Sequence, residues 1–121
     1  MKSRPLSILS IGSYLLAVAG GICGMVTEIN EEQVSQHIRQ EVIVRGRVTQ
    51  VARDRGEVFI CFGGKYPNQP FKGFIEVSSP LAKDKTLDAL AGKQIGISGK
   101  IAEYNGKPEI VISSLAQILR E

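Results

Sequence analysis

The stretch Ile95-Gly96-Ile97-Ser98-Gly99-Lys100-Ile101-Ala102-Glu103-Tyr104-Asn105-Gly106-Lys107-Pro108-Glu109-Ile110-Val111-Ile112 decides how this chain is read. Ile95, Ile97, Gly99 and Ile101 fall on one side of an extended backbone, and Gln94, Gly96, Ser98 and Lys100 fall on the other. Period two with β-branched residues predicts a strand over 93–104. Asn105-Gly106 is the strongest short hairpin signal, because the tightest hairpin turns need positive φ at both central positions. A return strand is therefore predicted over 107–112. Pro108 near its start marks an edge or a bulge, since proline cannot donate to a ladder.

The same alternation recurs upstream. In Val42-Ile43-Val44-Arg45-Gly46-Arg47-Val48-Thr49-Gln50-Val51, Val42, Val44 and Val48 share one face, while Arg45, Arg47 and Thr49 share the other. Gly46 suggests a bulge, and Arg53-Asp54-Arg55-Gly56 reads as a turn. A second strand is predicted over 58–62, then a long polar loop over 63–70 with two prolines. The third strand, 71–77, puts Phe71, Gly73, Ile75 and Val77 opposite Lys72, Phe74 and Glu76. Residues 79–90 contain a break at Pro80 and a helical piece in which Leu87 and Leu90 share a side. Gly92 ends it, as a glycine just past a helix should. Asn30 before Glu31-Glu32-Gln33 has the form of a capping box and predicts a short helix over 31–39. Residues 113–119 read as a last turn or edge segment.

The order is strand, strand, strand, helix, strand, strand. It predicts an all-β domain with small helices: a five-stranded OB-type Greek-key barrel over residues 30–121, with a helix between strands three and four. Closure of the ring would also remove exposed strand edges.

Ahead of this domain, Lys2 and Arg4 precede an apolar run from Leu6 to Ala19 that ends in Ala17-Val18-Ala19-Gly20-Gly21. A basic start, an apolar centre and an Ala-x-Ala site are the marks of a secretory signal peptide, here residues 1–19, with 20–29 as a linker. The alternative is an uncleaved membrane anchor over 5–26. Either places the domain outside the cytoplasm, periplasmic or extracellular, with the membrane as a partner only through an uncleaved leader. Cys23 lacks the small preceding residue of a lipoprotein signal, and Cys61 reads as a small hydrophobe in a strand.

The 121 residues carry 15 Lys and Arg against 12 Asp and Glu. Without Lys2 and Arg4 the balance falls to 13 against 12, which excludes a strongly basic nucleic-acid binder on totals alone. The distribution is uneven: residues 42–118 hold eleven basic and seven acidic side chains, behind an acidic lead-in of Glu28, Glu31, Glu32 and Glu41. No phosphate-cradling loop, nucleophile elbow or zinc-protease motif occurs. His37 is the single histidine and has no ligand partner at metal spacing, so no metal and no cofactor are expected. Asp54 and Glu57 lie among Arg53 and Arg55, which suits a turn better than acid–base work.

Three segments together carry a resemblance. They are 42–48, the Phe62-Gly63-Gly64-Lys65-Tyr66-Pro67-Asn68-Gln69 stretch with its preceding strand, and 92–101 followed by Tyr104-Asn105-Gly106-Lys107-Pro108-Glu109-Ile110. Over residues 30–120 the chain resembles exported bacterial OB-fold proteins of the nucleic-acid-binding-like type. The resemblance implies a binding module with no catalytic residues. OB barrels hold ligands on the face of strands two and three and on the flanking loops. The candidates there are Lys65, Tyr66, Asn68 and Lys72, with Arg45 and Arg47 on the neighbouring strand and Tyr104 and Lys107 flanking the Asn-Gly hairpin. Lysines and arginines would neutralise phosphates, and Tyr66 would stack a base. Against this, Arg45 and Arg47 also suit a solvated strand face, Tyr66 a loop packed across the sheet, and Glu109 a surface ion pair of small value. Two partners stay open: single-stranded nucleic acid or another anionic ligand, and an envelope protein.

Overall fold

The structure, a computed structural model, describes residues 26–120. Among them are seven strands: β1 (Thr27–Asn30), β2 (Glu41–Asp54), β3 (Glu57–Phe62), β4 (Phe71–Ile75), β5 (Gln94–Tyr104), β6 (Lys107–Val111) and β7 (Ile118–Arg120). The strand order is β1-β2-β3-β4-β6-β5-β7, with a further β2–β5 pairing. That extra ladder closes β2, β3, β4, β6 and β5 into a ring of five strands. The closing pairs run from Glu41↔Lys100 to Arg47↔Gln94. All pairings in the ring are antiparallel except β4–β6, which is parallel. The expected leader or anchor lies outside the described residues, apart from Val26. Among the described residues no helix is long and apolar enough to cross a membrane.

The alternation seen in the sequence becomes the inside and outside of this ring. Val42, Val44, Val48, Ile95, Ile97 and Ile101 are buried in one core together with Phe62, Phe71 and Ile75. Gly73 on β4 permits the ring to be this tight. A Cβ there would lie 2.7 Å from Ile112 Cδ1 and 2.8 Å from Ile97 Cδ1, closer than packed carbons approach. The two tight hairpins each use a left-handed pair: Arg55 and Gly56 at φ 55° and 87°, Asn105 and Gly106 at φ 53° and 78°. This matches the right-handed twist of the flanking strands.

Three expectations need correction. The linker assigned to residues 20–29 ends early, because Thr27–Asn30 forms β1, parallel to β2 from Thr27↔Val42 to Asn30↔Arg45. Ile29 carries the reason, since it is buried in the core beside Val44. The helix between strands three and four is two 3₁₀ helices, Pro80–Lys83 and Lys85–Leu90. Ser79 caps the first and Asp84 caps the second, so two start signals five residues apart leave each only about one turn. Ala82, Leu87 and Leu90 still pack into the core. The third strand stops at Ile75 rather than Val77, which is 56% exposed.

The capping box stands: Asn30 and Gln33 bond each other's backbone at the start of a 3₁₀ helix, Glu31–Gln36. Pro108 lies just beyond the β4–β6 ladder, which begins at Lys72↔Glu109, so its missing N–H costs no sheet bond there.

Candidate ligand face

The outer surface of the ring follows from the register. Ala52, Phe59, Phe74 and Val111 are successive partners across β2, β3, β4 and β6. The next row is Gln50, Cys61, Lys72, Glu109 and Ala102, and beyond it Lys107 faces Tyr104. Phe59, Tyr66, Phe74 and Tyr104 therefore share one side of the protein, and Phe62 and Phe71 lie inside.

Tyr66 arrives on this face from the 63–70 loop. Its ring stacks on Phe59 with centroids 4.6 Å apart, its hydroxyl donates to Asp54 Oδ2 at 2.9 Å, and its N–H donates to Gln50 Oε1 at 2.9 Å. The Asp54 hydrogen bond, with a smaller contribution from burial, raises the Tyr66 phenol above its ordinary pKa. Two further bonds hold the loop: Thr49 Oγ1 donates to Gly64 O, and Lys107 Nζ donates to Pro67 O at 3.1 Å. Of the two roles open for Tyr66, loop packing is the one it performs in this structure.

Lys72 is 7% exposed and pairs with Glu109, 8% exposed, at 3.3 Å. Its ammonium also lies 5.8 Å from the Phe59 ring centroid and 5.5 Å from that of Tyr104. The ion pair at Glu109 is thus buried, not the surface contact of small value expected from sequence. Tyr104 is 60% exposed and Lys65 and Asn68 stand in solvent on the loop, where the Asn68 N–H donates to Lys65 O.

Arg45 and Arg47 do not join this group. β2 is irregular between Val48 and Gln50, and its first half runs between β1 and β5 while its second half runs beside β3. Arg45 Nε meets Glu28 Oε1 at 3.1 Å, and Arg47 Nη1 donates to Gly92 O at 2.6 Å. Arg53 ties the same strand to the 3₁₀ segment through Ala82 O, Asp84 O and Asp88. A strand read as one flat ribbon puts Arg45 and Arg47 beside Lys72; the irregularity sends them elsewhere.

Sequence reasoning missed Phe59 as a member of the face. It lies in a run of apolar residues with no polar alternation, so nothing marks which side is outer. His37 Nδ1 lies 2.8 Å from Gln40 Oε1, and no group of three or more His, Cys, Asp or Glu able to hold a metal occurs among the described residues.

Cys61 is fully buried beneath the loop, and burial pushes its thiol up to about 11. The thiolate is the reactive form. The Cys61 peptide should therefore stay unalkylated by iodoacetamide in the folded protein at pH 8 and be modified fully in denaturant, as read by mass spectrometry. Rapid modification in the folded state would show that the 63–70 loop lifts readily from the sheet.

No protein-family model matches the sequence, and no curated protein matches it. Solved structures do share its fold. One is a protein described as an aspartyl-tRNA synthetase from Leishmania major Friedlin, with 11% identity and a TM-score of 0.53; the match covers 84% of this chain and 22% of the synthetase. Another is the OBody AM1L10 bound to hen egg-white lysozyme, with 18% identity and a TM-score of 0.55 over 84% of this chain and 100% of the OBody. At these identities the likeness concerns the fold alone. The chain spans about a fifth of the synthetase's length.

Proposed function

We propose that the protein is an exported, non-enzymatic OB-type barrel that binds an extended ligand bearing flat groups and negative charge, with single-stranded nucleic acid as the class that fits. The carrying observation is the gathering of Phe59, Tyr66, Phe74 and Tyr104 on one outer face with Lys72 and Lys107. Aromatic rings beside lysines are the usual means of holding a single strand without sequence preference. The five-strand ring with its parallel β4–β6 pairing, and the two solved structures of similar fold, support the OB-type assignment. Residues 1–19 support export through their signal-peptide pattern.

The charge on the face is modest, because Lys72 is neutralised by Glu109. Lys65 and Lys107 have no acidic partner among the described residues. Each phosphate neutralised on a single strand contributes about −0.7 to the slope of log K against log salt, so two give roughly −1.4. A labelled oligothymidylate should bind the protein with a slope of at least this magnitude by fluorescence anisotropy, steeper where further cations join. Phe74→Ala should weaken it by about 5- to 150-fold, the usual range for one stacked base. Absence of binding at low salt would overturn this reading.

A protein partner on the same face is the second reading. The pairing of Lys72 with Glu109 favours it, since paired charges give little long-range attraction for a polyanion.

A further inference from the structure

The outer face is unevenly open. At the β3 end of its apolar row, Tyr66 already stacks on Phe59 and the 63–70 loop covers the strands. At the other end, Phe74 is half-buried and its β6 partner Val111 is 40% exposed. One step beyond the pair Ile101↔Ile110, the row reaches Lys100 on β5. Here the surface deepens into a groove of about 660 Å³, lined by Ile38, Arg39, Lys100, Ala102, Glu103 and Val111, with Ile101 at its base.

The far wall of this groove is built by backbone. Arg39 takes a left-handed conformation at φ 70°, its N–H donates to Ile101 O at 2.7 Å, and the Ile101 N–H donates to Gln40 O at 3.0 Å. These bonds fix the end of the 31–40 segment against β5 and hold Ile38 and Arg39 over the strand. The side chains of Arg39 and Lys100 have no hydrogen bond or ion pair among the described residues. The groove therefore offers apolar side chains from Ile38, Ala102 and Val111, two cations and a single carboxylate, Glu103.

We infer that the ligand's track runs away from the Phe59–Tyr66 end of the face, over Phe74 and Val111, and ends in this groove, with Arg39 and Lys100 holding the ligand's phosphates and Ile38 and Val111 packing against a base. The inference rests on the proposed reading of the face and names the part of it that is used. Two observations carry it together: the chain's own Tyr66 fills the stacking position on Phe59, and at the opposite end of the same row two cations, Arg39 and Lys100, flank an open groove. A guanidinium and an ammonium suit a phosphate flanked by apolar side chains, since they pair with its oxygens while Ile38 and Val111 pack against the base.

The test is anisotropy of a labelled oligothymidylate of about 12 nucleotides, within the span one OB fold covers. The protein, Arg39→Ala/Lys100→Ala, and Lys83→Ala/Lys85→Ala are compared over a range of salt. The last variant removes the same charge from the segment between β4 and β5. Thermal melting of each variant checks that the fold is kept. Arg39→Ala/Lys100→Ala should lose roughly tenfold in affinity and flatten the salt slope by about 1.4, two phosphate contacts' worth, while Lys83→Ala/Lys85→Ala stays within about twofold. Equal losses in the two variants would mean general charge alone, and an unchanged slope in Arg39→Ala/Lys100→Ala would mean the groove is unused. Either overturns the track while leaving the face intact as a binding site, provided Phe74→Ala still weakens binding. No binding by the unaltered protein would overturn the track together with the proposed function.

Discussion

Glu109→Ala should destabilise the protein by about 3 kcal/mol in urea unfolding, more than any other single change on the outer face. Removing one partner of a buried ion pair leaves the other charge desolvated and uncompensated, at a typical cost of about 3–5 kcal/mol. Lys72 would be that charge, since it is 7% exposed and Glu109 is its acidic partner at 3.3 Å. The rings of Phe59 and Tyr104, at 5.8 and 5.5 Å, offset part of the loss, which places the expectation at the low end of the range. The double variant Lys72→Met/Glu109→Leu removes both charges and keeps the volume, so it should recover most of the stability. A loss below about 1 kcal/mol in Glu109→Ala would mean that water reaches the pair, as at exposed ion pairs, and that the loop does not seal this face.

Phe62→Ala should cost about 4 kcal/mol, the usual range for deleting a buried aromatic ring being about 3–5 kcal/mol. Phe62 is fully buried and its ring centroid lies 5.4 Å from that of Phe71. A Cβ added to Gly46 would stand 3.1 Å from Phe62 Cδ2, so the backbone of β2 already rests against the ring. A closed ring of strands has little freedom to collapse onto the cavity left behind. For a domain of this size, each kcal/mol moves Tm by about 4–8 °C, so calorimetry should show a fall of roughly 15–30 °C. Phe74→Ala, on the outer side of the neighbouring strand, should cost clearly less. The reverse order would invert the inside and outside assigned to β3 and β4, and the candidate face with it.

These contrasts separate what is local from what is not. The alternation of Val42, Val44 and Val48, the Asn105-Gly106 turn and the Asn30–Gln33 box are short-range signals, and each appears in the structure where the sequence puts it. Turn chemistry and side-chain period depend on neighbours only a few residues away, so they are legible without a fold. The strands over 58–62 and 107–112 are legible for the same reason. The two 3₁₀ helices replace one longer helix because Ser79 and Asp84 each supply a cap, a competition that a search for apolar spacing overlooks.

Of the candidate site, Tyr66, Lys72, Tyr104 and Lys107 come together as the strand order implies, and Arg45 and Arg47 depart with the first half of β2. The sequence by itself determined the five strands of the ring, the two hairpin turns, the Asn30–Gln33 box and the gross inside and outside of most of those strands. Only the tertiary structure decided that Tyr66 covers Phe59, that Lys72 and Glu109 are buried together, and that Arg39 lies over β5. Those pairs are separated by seven, thirty-seven and sixty-two residues respectively. Which distant groups meet depends on ring closure and on one irregularity in β2, and neither leaves a periodic trace in the chain.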